Sequence, residues 1–149
     1  MTRGSVARNK KAFHNYEIRD RYQAGLVLLG TEIKAIRDHQ VSLADSYARI
    51  RNGEVWLENC HIGPYRHGNL ANHEPLRPRK LLLHRREINR LTGAVAHKGL
   101  TLVPLELYFE KGRAKVELGV ARGKRLYDKR EAARRRAVDR DMAQELKRR

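Results

Sequence analysis

Along much of the chain apolar side chains recur at every second position, and the breaks in that rhythm mark off its elements. From Phe13 onward Tyr16 and Ile18 alternate with Asn15 and Glu17, and after a polar interruption Tyr22, Ala24, Leu26 and Leu28 resume the spacing. The pattern predicts two short strands or one bent strand. Gly30-Thr31-Glu32 then reads as a helix start, with Thr31 as N-cap and Ile33 and Ile36 as an apolar i,i+3 pair. Glu32 falls in the first turn, where a carboxylate favours the helix dipole by about 0.3 to 1 kcal/mol.

Asn52-Gly53 separates residues 47–50 from 55–62 and predicts a hairpin, because a type I′ turn needs positive φ at both central residues. Gly63, Pro64, Gly68, Pro75 and Pro78 punctuate a loop over residues 63–79. Arg77, Arg79 and Lys80 lead into Leu81-Leu82-Leu83, a strand or a buried turn. A helix follows over residues 84–96, with Ile88, Leu91 and Val95 on its apolar face and Lys98-Gly99 as its stop signal. Farther on, Leu100 and Leu102 share one parity while Leu105, Leu107 and Phe109 carry the other. A slip at Val103-Pro104 predicts a bulge or a bend at a barrel corner, since proline cannot donate to a ladder. Glu110-Lys111-Gly112-Arg113 predicts the turn into a last strand, where Val116, Leu118 and Val120 alternate with Lys115, Glu117 and Gly119.

About six strands, mostly joined by hairpins, and two or three helices make a mainly β fold, a small antiparallel barrel with helices packed at its openings. Residues 1–12, with Arg3, Arg8, Lys10 and Lys11, read as a flexible basic N-terminal arm, residues 13–122 as the barrel and residues 123–149 as a basic tail. At the start of the tail Arg122, Lys124, Arg125, Lys129 and Arg130 crowd around Tyr127. Single-stranded nucleic acid suits that mixture, since phosphates take the charge and a base stacks on the ring; a solvated linker is the other reading. Asp128 and Glu131 permit a capping box, and Glu131 pairs with Arg135 one turn on, so helix is allowed. Val138, Met142 and Leu146 are too few to dock that helix firmly, and isolated helices of this length are marginal in water. The tail is expected to be disordered when free and helical once anions neutralise its arginines, residual helix held against the body being the alternative.

Charge narrows the partners. With 33 Lys and Arg against 17 Asp and Glu the chain of 149 residues carries +16, a self-repulsion that a polyanion relieves. Nucleic acid leads. A membrane surface is disfavoured, because there is no long apolar run and no basic amphipathic helix with bulky apolar anchors. The basic start has no apolar h-region and Cys60 is the sole cysteine, so the expectation is a cytoplasmic protein without disulfides. Cys60, His61, His67 and His73 match no paired-ligand spacing. Neither metal nor other cofactor is expected, and the histidines read as surface loop donors for phosphates.

Taken together, several motifs are specific. They are Asn9-Lys10-Lys11-Ala12 with His14 and Tyr16, Ala24-Gly25, Gly30-Thr31-Glu32-Ile33-Lys34 and Asp45-Ser46-Tyr47. Farther along come Arg79-Lys80-Leu81-Leu82-Leu83, Gly99-Leu100-Thr101-Leu102-Val103-Pro104-Leu105, and Gly119-Val120-Ala121-Arg122-Gly123-Lys124 with Asp128-Lys129-Arg130. Over about residues 9–130 the chain resembles the SsrA-binding proteins (small protein B), partners of transfer-messenger RNA (tmRNA) in the rescue of stalled bacterial ribosomes. The resemblance implies an oligonucleotide-binding-like (OB-like) barrel that grips the tRNA-like domain of that RNA. It also implies a tail that enters the ribosome's decoding centre in 16S rRNA and the empty mRNA channel. Elongation factor Tu would be an indirect partner, through the aminoacylated RNA. RNA-binding positions implied in this way are Asn9, Lys10, His14, Gln23, Glu32, Lys34, Lys80 and Leu82. Gly123, Lys124, Arg125, Tyr127, Asp128, Lys129 and Arg130 would serve the ribosome. Gln23 departs from the family's usual glutamate, keeping hydrogen bonding but losing a carboxylate acceptor.

Two other classes share some of these features. A permanent ribosomal protein would have the charge and the tail. A ribonuclease using His14 or His61 with Lys80 would need those groups to converge. No Gly-rich phosphate cradle and no carboxylate cluster for magnesium supports it, so a binder rather than an enzyme is expected.

Overall fold

A computed structural model of the protein describes residues 4–65 and 72–124. His67 and the tail residues Arg125, Tyr127, Asp128, Lys129 and Arg130 lie outside the described residues. The first half contains β1 (Gly4–Arg8), α1 (Lys10–Asn15), β2 (Tyr16–Leu26), α2 (Gly30–Arg37), β3 (Val41–Ser42), β4 (Tyr47–Arg51) and β5 (Glu54–Glu58). The second contains β6 (His61–Ile62), β7 (Arg79–Leu82), α3 (Arg85–Lys98), β8 (Thr101–Glu110) and β9 (Arg113–Gly123).

Strands β8, β4, β5, β7, β2 and β9 follow one another around a ring that closes where β9 pairs with β8. All these pairings are antiparallel, and closure removes the unpaired edges that an open sheet would offer to other chains. This is the mainly β, OB-like barrel that the sequence predicts. Both foreseen hairpins turn through pairs of positive φ, Asn52 and Gly53 at 53° and 75°, Lys111 and Gly112 at 53° and 76°. The second limb of the first hairpin is shorter than expected. Positive φ at Asn59 ends β5, and His61–Ile62 pairs separately with β3.

Two bulges bend the barrel. In β2 the register shifts between Ile18 and Asp20, so one bent strand runs where the spacing allowed two. In β8 it shifts between Pro104 and Glu106, later than the slip expected at Val103-Pro104. Carbonyls of neighbouring residues on a regular strand point to opposite edges, yet Pro104 and Leu105 both bond Asn9, through its Nδ2 at 2.8 Å and its backbone N at 2.8 Å. Pro104 therefore turns its missing donor toward Asn9 and away from the β9 ladder. The consequence is two cores. Leu102 and Leu107 point into the barrel, whereas Val103 and Leu105 point outward and pack with Ala121 beneath Ala12 of α1. Leu105 lies directly over Gly119, where an added Cβ would come within 2.9 Å of Leu105 Cδ1.

The N-terminal arm departs from expectation. Residues 4–8 pair with 106–109 of β8, and Phe13, read as the start of a strand, lies in α1. Polar composition concealed this, because β1 contributes mainly ladder hydrogen bonds and α1 buries only Ala12. The strand β9 also continues to Gly123, and Lys124 N donates to Asn15 O at 2.8 Å, so this end of β9 is tied to α1.

At one end of the barrel α2 buries Ala35 and Ile36. Leu29, not Thr31, is its N-cap residue. The Thr31 hydroxyl bonds His73 Nδ1 at 2.9 Å, and His73 Nε2 donates to Ile62 O at 2.8 Å. His73 is thus buried in the fold and is not a surface donor. Glu32, with no exposed surface, accepts from Leu29 N at 2.8 Å and binds Arg77 Nη2 at 2.6 Å and Arg79 Nε at 2.6 Å. Arg79 is equally buried, and its remaining donors reach the carbonyls of Cys60, Pro75 and Glu74. In α3 only Leu91 of the expected stripe is fully buried, while Val95 is exposed beside Tyr47 and Ile50 in an open groove.

Burial raises the Glu32 pKa, but hydrogen bonds from Arg77, Leu29 and Arg79 outweigh it and hold the carboxyl below the usual glutamate range. A carboxylate depressed in the native state adds stability above its unfolded pKa, lost as pH falls through the native value. Glu32→Gln should cost roughly 3 to 5 kcal/mol at neutral pH by leaving Arg79 a buried unpaired charge. Urea denaturation at pH 7 and pH 3 checks both parts, since the deficit should shrink in acid. Gly119→Ala should cost about 1 to 3 kcal/mol through overpacking. Combining it with Leu105→Val should recover part of that loss in a double-mutant cycle.

Candidate nucleic-acid interface

Strand pairing decides which of the sequence-derived positions share a surface. Gly25 sits opposite Leu82 and Gln23 opposite Glu117, and alternate residues of a strand face the same way. Gln23, Gly25, Leu82 and Lys80 therefore line one outer face of the barrel across β2 and β7. Leu82, the last residue of β7, is 53% exposed, and a Cβ at Gly25 would come within 3.3 Å of Leu82 Cβ. The missing side chain leaves Leu82 standing beside bare strand backbone. Lys80 Nζ pairs with Glu54 at 3.0 Å on one flank. On the other, Gln23 Oε1 accepts from the Tyr108 hydroxyl, so the amide is held in a fixed orientation.

The same outer face continues under α1. Tyr16 and Ile18 pair with Gly123 and Ala121, and both pack with Phe13 against the outer core. Exposed Lys10 and His14 project from α1 at that end. Arg8 and Arg21 flank the Phe13 ring at 5.2 and 5.6 Å, and Arg21 also reaches Glu117 at 3.4 Å. Asn9 differs from its neighbours. It is 4% exposed, its Oδ1 accepts from Ala12 N at 3.1 Å to cap α1, and its Nδ2 donates to Leu43 O and Pro104 O. Its amide is spent inside the protein, where it fixes the helix that carries Lys10 and His14 to the β8 bulge.

Glu32 and Lys34 do not join this face. Glu32 is sealed beneath α2 by Arg77 and Arg79, while exposed Lys34 stands over the Tyr65 ring at 5.5 Å. Gly123 ends β9, paired with Tyr16, and Lys124 N follows it onto Asn15 O beside α1. Sequence reasoning overlooked Arg8, Arg21 and Phe13 as a unit because residues 1–12 were read as an arm. It also overlooked Arg79 as a buried residue. Parity carried a signal there, since Arg79 and Leu81 share the inward face of β7 and an inward arginine requires a buried carboxylate.

Guanidinium, ammonium, amide and imidazole groups, two of the cations paired to Glu54 and Glu117, are spread on this face along strands and one helix, around an exposed leucine. Such a surface suits phosphates and sugars laid over a shape. Among the described residues no three His, Cys, Asp or Glu side chains gather as metal ligands, and no helix is long and apolar enough to cross a membrane. Cys60 is buried, and burial pushes its thiol up to about 11, which leaves it a protonated, inert core residue.

Comparison with known proteins agrees with this geometry. A family model described as SmpB protein matches residues 6–148. The SsrA-binding protein of Carboxydothermus hydrogenoformans is 56% identical over 142 residues, 95% of this chain and 95% of that one. That of Geobacillus kaustophilus is 60% identical over 137 residues, covering 92% of this chain and 88% of that one. A chain from a solved structure described as "tmRNA-SmpB: a journey to the center of the bacterial ribosome" has 52% identity and a TM-score of 0.70, covering 87% of this chain and 94% of that one. With a family model spanning nearly the whole chain and curated relatives matched end to end, the protein belongs to the SmpB family, the SsrA-binding proteins.

Proposed function

We propose that the protein binds the tRNA-like domain of tmRNA and delivers it to stalled ribosomes for trans-translation. The observation that carries this reading is end-to-end membership of the family together with likeness to a solved chain whose description joins tmRNA, SmpB and the ribosome. The outer barrel face supports it independently. A folded RNA presents backbone and shape more than base edges, and Leu82, Gly25, Gln23 and Lys80 give a flat surface with a few fixed polar groups. Lys10 and His14 extend the same surface along α1 with positive charge for phosphates.

Asn9 and Glu32 act in this reading through the fold. Asn9 positions α1, and Glu32 positions the loop and the start of β7, so that each governs RNA contact without touching RNA. Lys34 meets RNA at the barrel end, outside the Leu82 face. Residues 123–149 engage the ribosome, with Gly123 and Lys124 anchoring the segment at α1 and Arg125, Tyr127, Asp128, Lys129 and Arg130 entering the decoding site. The rest follows the empty mRNA channel, where rRNA phosphates neutralise the arginines and favour helix. Elongation factor Tu joins only through the aminoacylated RNA.

Two experiments test the division of labour. Leu82→Asp should lower affinity for the isolated tRNA-like domain at least tenfold without moving Tm, because the side chain is already exposed; unchanged affinity in a filter-binding titration overturns the assigned face. Deleting residues 128–149 should leave that affinity within a few-fold of the full chain while abolishing tagging of proteins on stalled ribosomes in a reconstituted reaction. A large loss of tmRNA binding on deletion would contradict it.

A further inference from the structure

A second cationic surface lies across β4, β5 and β7, beside the Leu82 face. Arg51 and Glu54 are cross-strand partners at the hairpin end, the position at which an arginine and a glutamate would ordinarily pair. Instead Glu54 binds Lys80 at 3.0 Å, and the Arg51 guanidinium lies over the Trp56 indole, 5.7 Å from the ring centroid. Among the described residues Arg51 has no carboxylate partner, whereas Arg49, opposite Trp56, lies 3.5 Å from Glu58. Arg85 Nη1 donates to Gly53 O at 3.2 Å and ties the start of α3 to the hairpin turn.

A guanidinium backed by an indole is flat, cationic and limited in rotation. The ring lies within cation–π reach of the guanidinium, 5.7 Å from centroid to Cζ, and Arg51 is exposed to solvent. Unpaired RNA bases stack on arginine planes of this kind, while bases inside an A-form duplex are hidden in a groove that side chains do not enter. Lys80 and Arg49 lie on the adjoining strands on either side of Trp56, each paired to a carboxylate that a phosphate flanking the stacked nucleotide can replace. We infer that Arg51, held on Trp56, is the stacking platform for an unpaired RNA nucleotide. The inference rests on reading the chain as an RNA-binding protein and assigns it a contact separate from Leu82.

Trp56 is the sole tryptophan, so emission excited in the indole band reports this one position. The full chain is titrated in one arm with the tRNA-like domain of tmRNA and in another with protein-free 16S rRNA, so that Trp56 stays the sole indole in solution. Quenching in the first arm assigns the nucleotide to tmRNA, and quenching in the second assigns it to ribosomal RNA. Arg51→Lys retains the charge but removes the plane. It should abolish the quenching and weaken binding in the responding arm roughly five- to a hundredfold, the worth of one stacked base. Quenching in neither arm, or an Arg51→Lys protein that binds and quenches like the parent, overturns the inference. Failure of the parent chain to bind the tRNA-like domain at all would instead sink the proposed function. Tight binding with unmoved emission sinks only the platform.

Discussion

Arg79 points into the barrel wall, and nothing else about that end of the molecule is free once it does. A guanidinium without water must have every donor met and its charge opposed, or the cost is several kcal/mol. Glu32 supplies the charge, while the carbonyls of Cys60, Pro75 and Glu74 accept the other donors. Those partners belong to α2, to the chain after β5 and to the loop before β7. One side chain thereby ties together three segments that also meet in the core through Ala35, Ile36, Cys60 and Leu81. Pro75 and Pro78 have no backbone N–H to donate, so the tether adds hydrogen bonding where the local backbone lacks donors. The start of β7, and with it the positions of Lys80 and Leu82, follows from this pairing.

The β8 bulge does at the other end what Arg79 does at the first. A regular strand alternates between inside and outside, and an extra residue at Leu105 lets Leu102 and Leu107 enter the barrel while Val103 and Leu105 face α1. Asn9 reads the bulge directly, bonding the two carbonyls it turns outward and capping α1 with the same side chain. Gly119 completes the arrangement by leaving room for Leu105. The orientation of α1, which carries Lys10 and His14, is therefore set by backbone geometry in a strand remote in sequence. An exposed helix that buries a single alanine has few other means of holding its direction.

Period-two spacing and turn chemistry made the barrel legible. Asn52-Gly53 and Lys111-Gly112 announced their hairpins, and the parity change in residues 100–109 announced a bulge. Its location was misread because proline suggests the irregularity at itself, whereas Pro104 faces away from β9 and the extra residue is Leu105. β1 and α1 were illegible for a different reason. Their contribution is hydrogen bonding to β8 and one small buried side chain, and neither leaves an apolar pattern. Of the candidate site, Gln23, Lys80 and Leu82 converge through strand register, which sequence spacing alone does not specify. Asn9 and Glu32 look from sequence like surface polar residues. Only three-dimensional context shows their side chains consumed by the fold.

Charge in this molecule is handled in two ways, with different consequences for a polyanion. Lys11, Arg21, Arg49, Lys80 and Lys115 each lie against a carboxylate, so an approaching phosphate must exchange one anion for another, a nearly balanced trade in water. Arg8, Lys34, Arg37 and Arg51 lie against rings, and Arg21 lies against both a ring and its carboxylate. A ring orients a cation without neutralising it, so its field still reaches outward and its geometry is already chosen. Cations of the first kind can follow the contour of a folded RNA without holding it tightly. Those of the second kind meet a phosphate or a base with little left to desolvate or arrange.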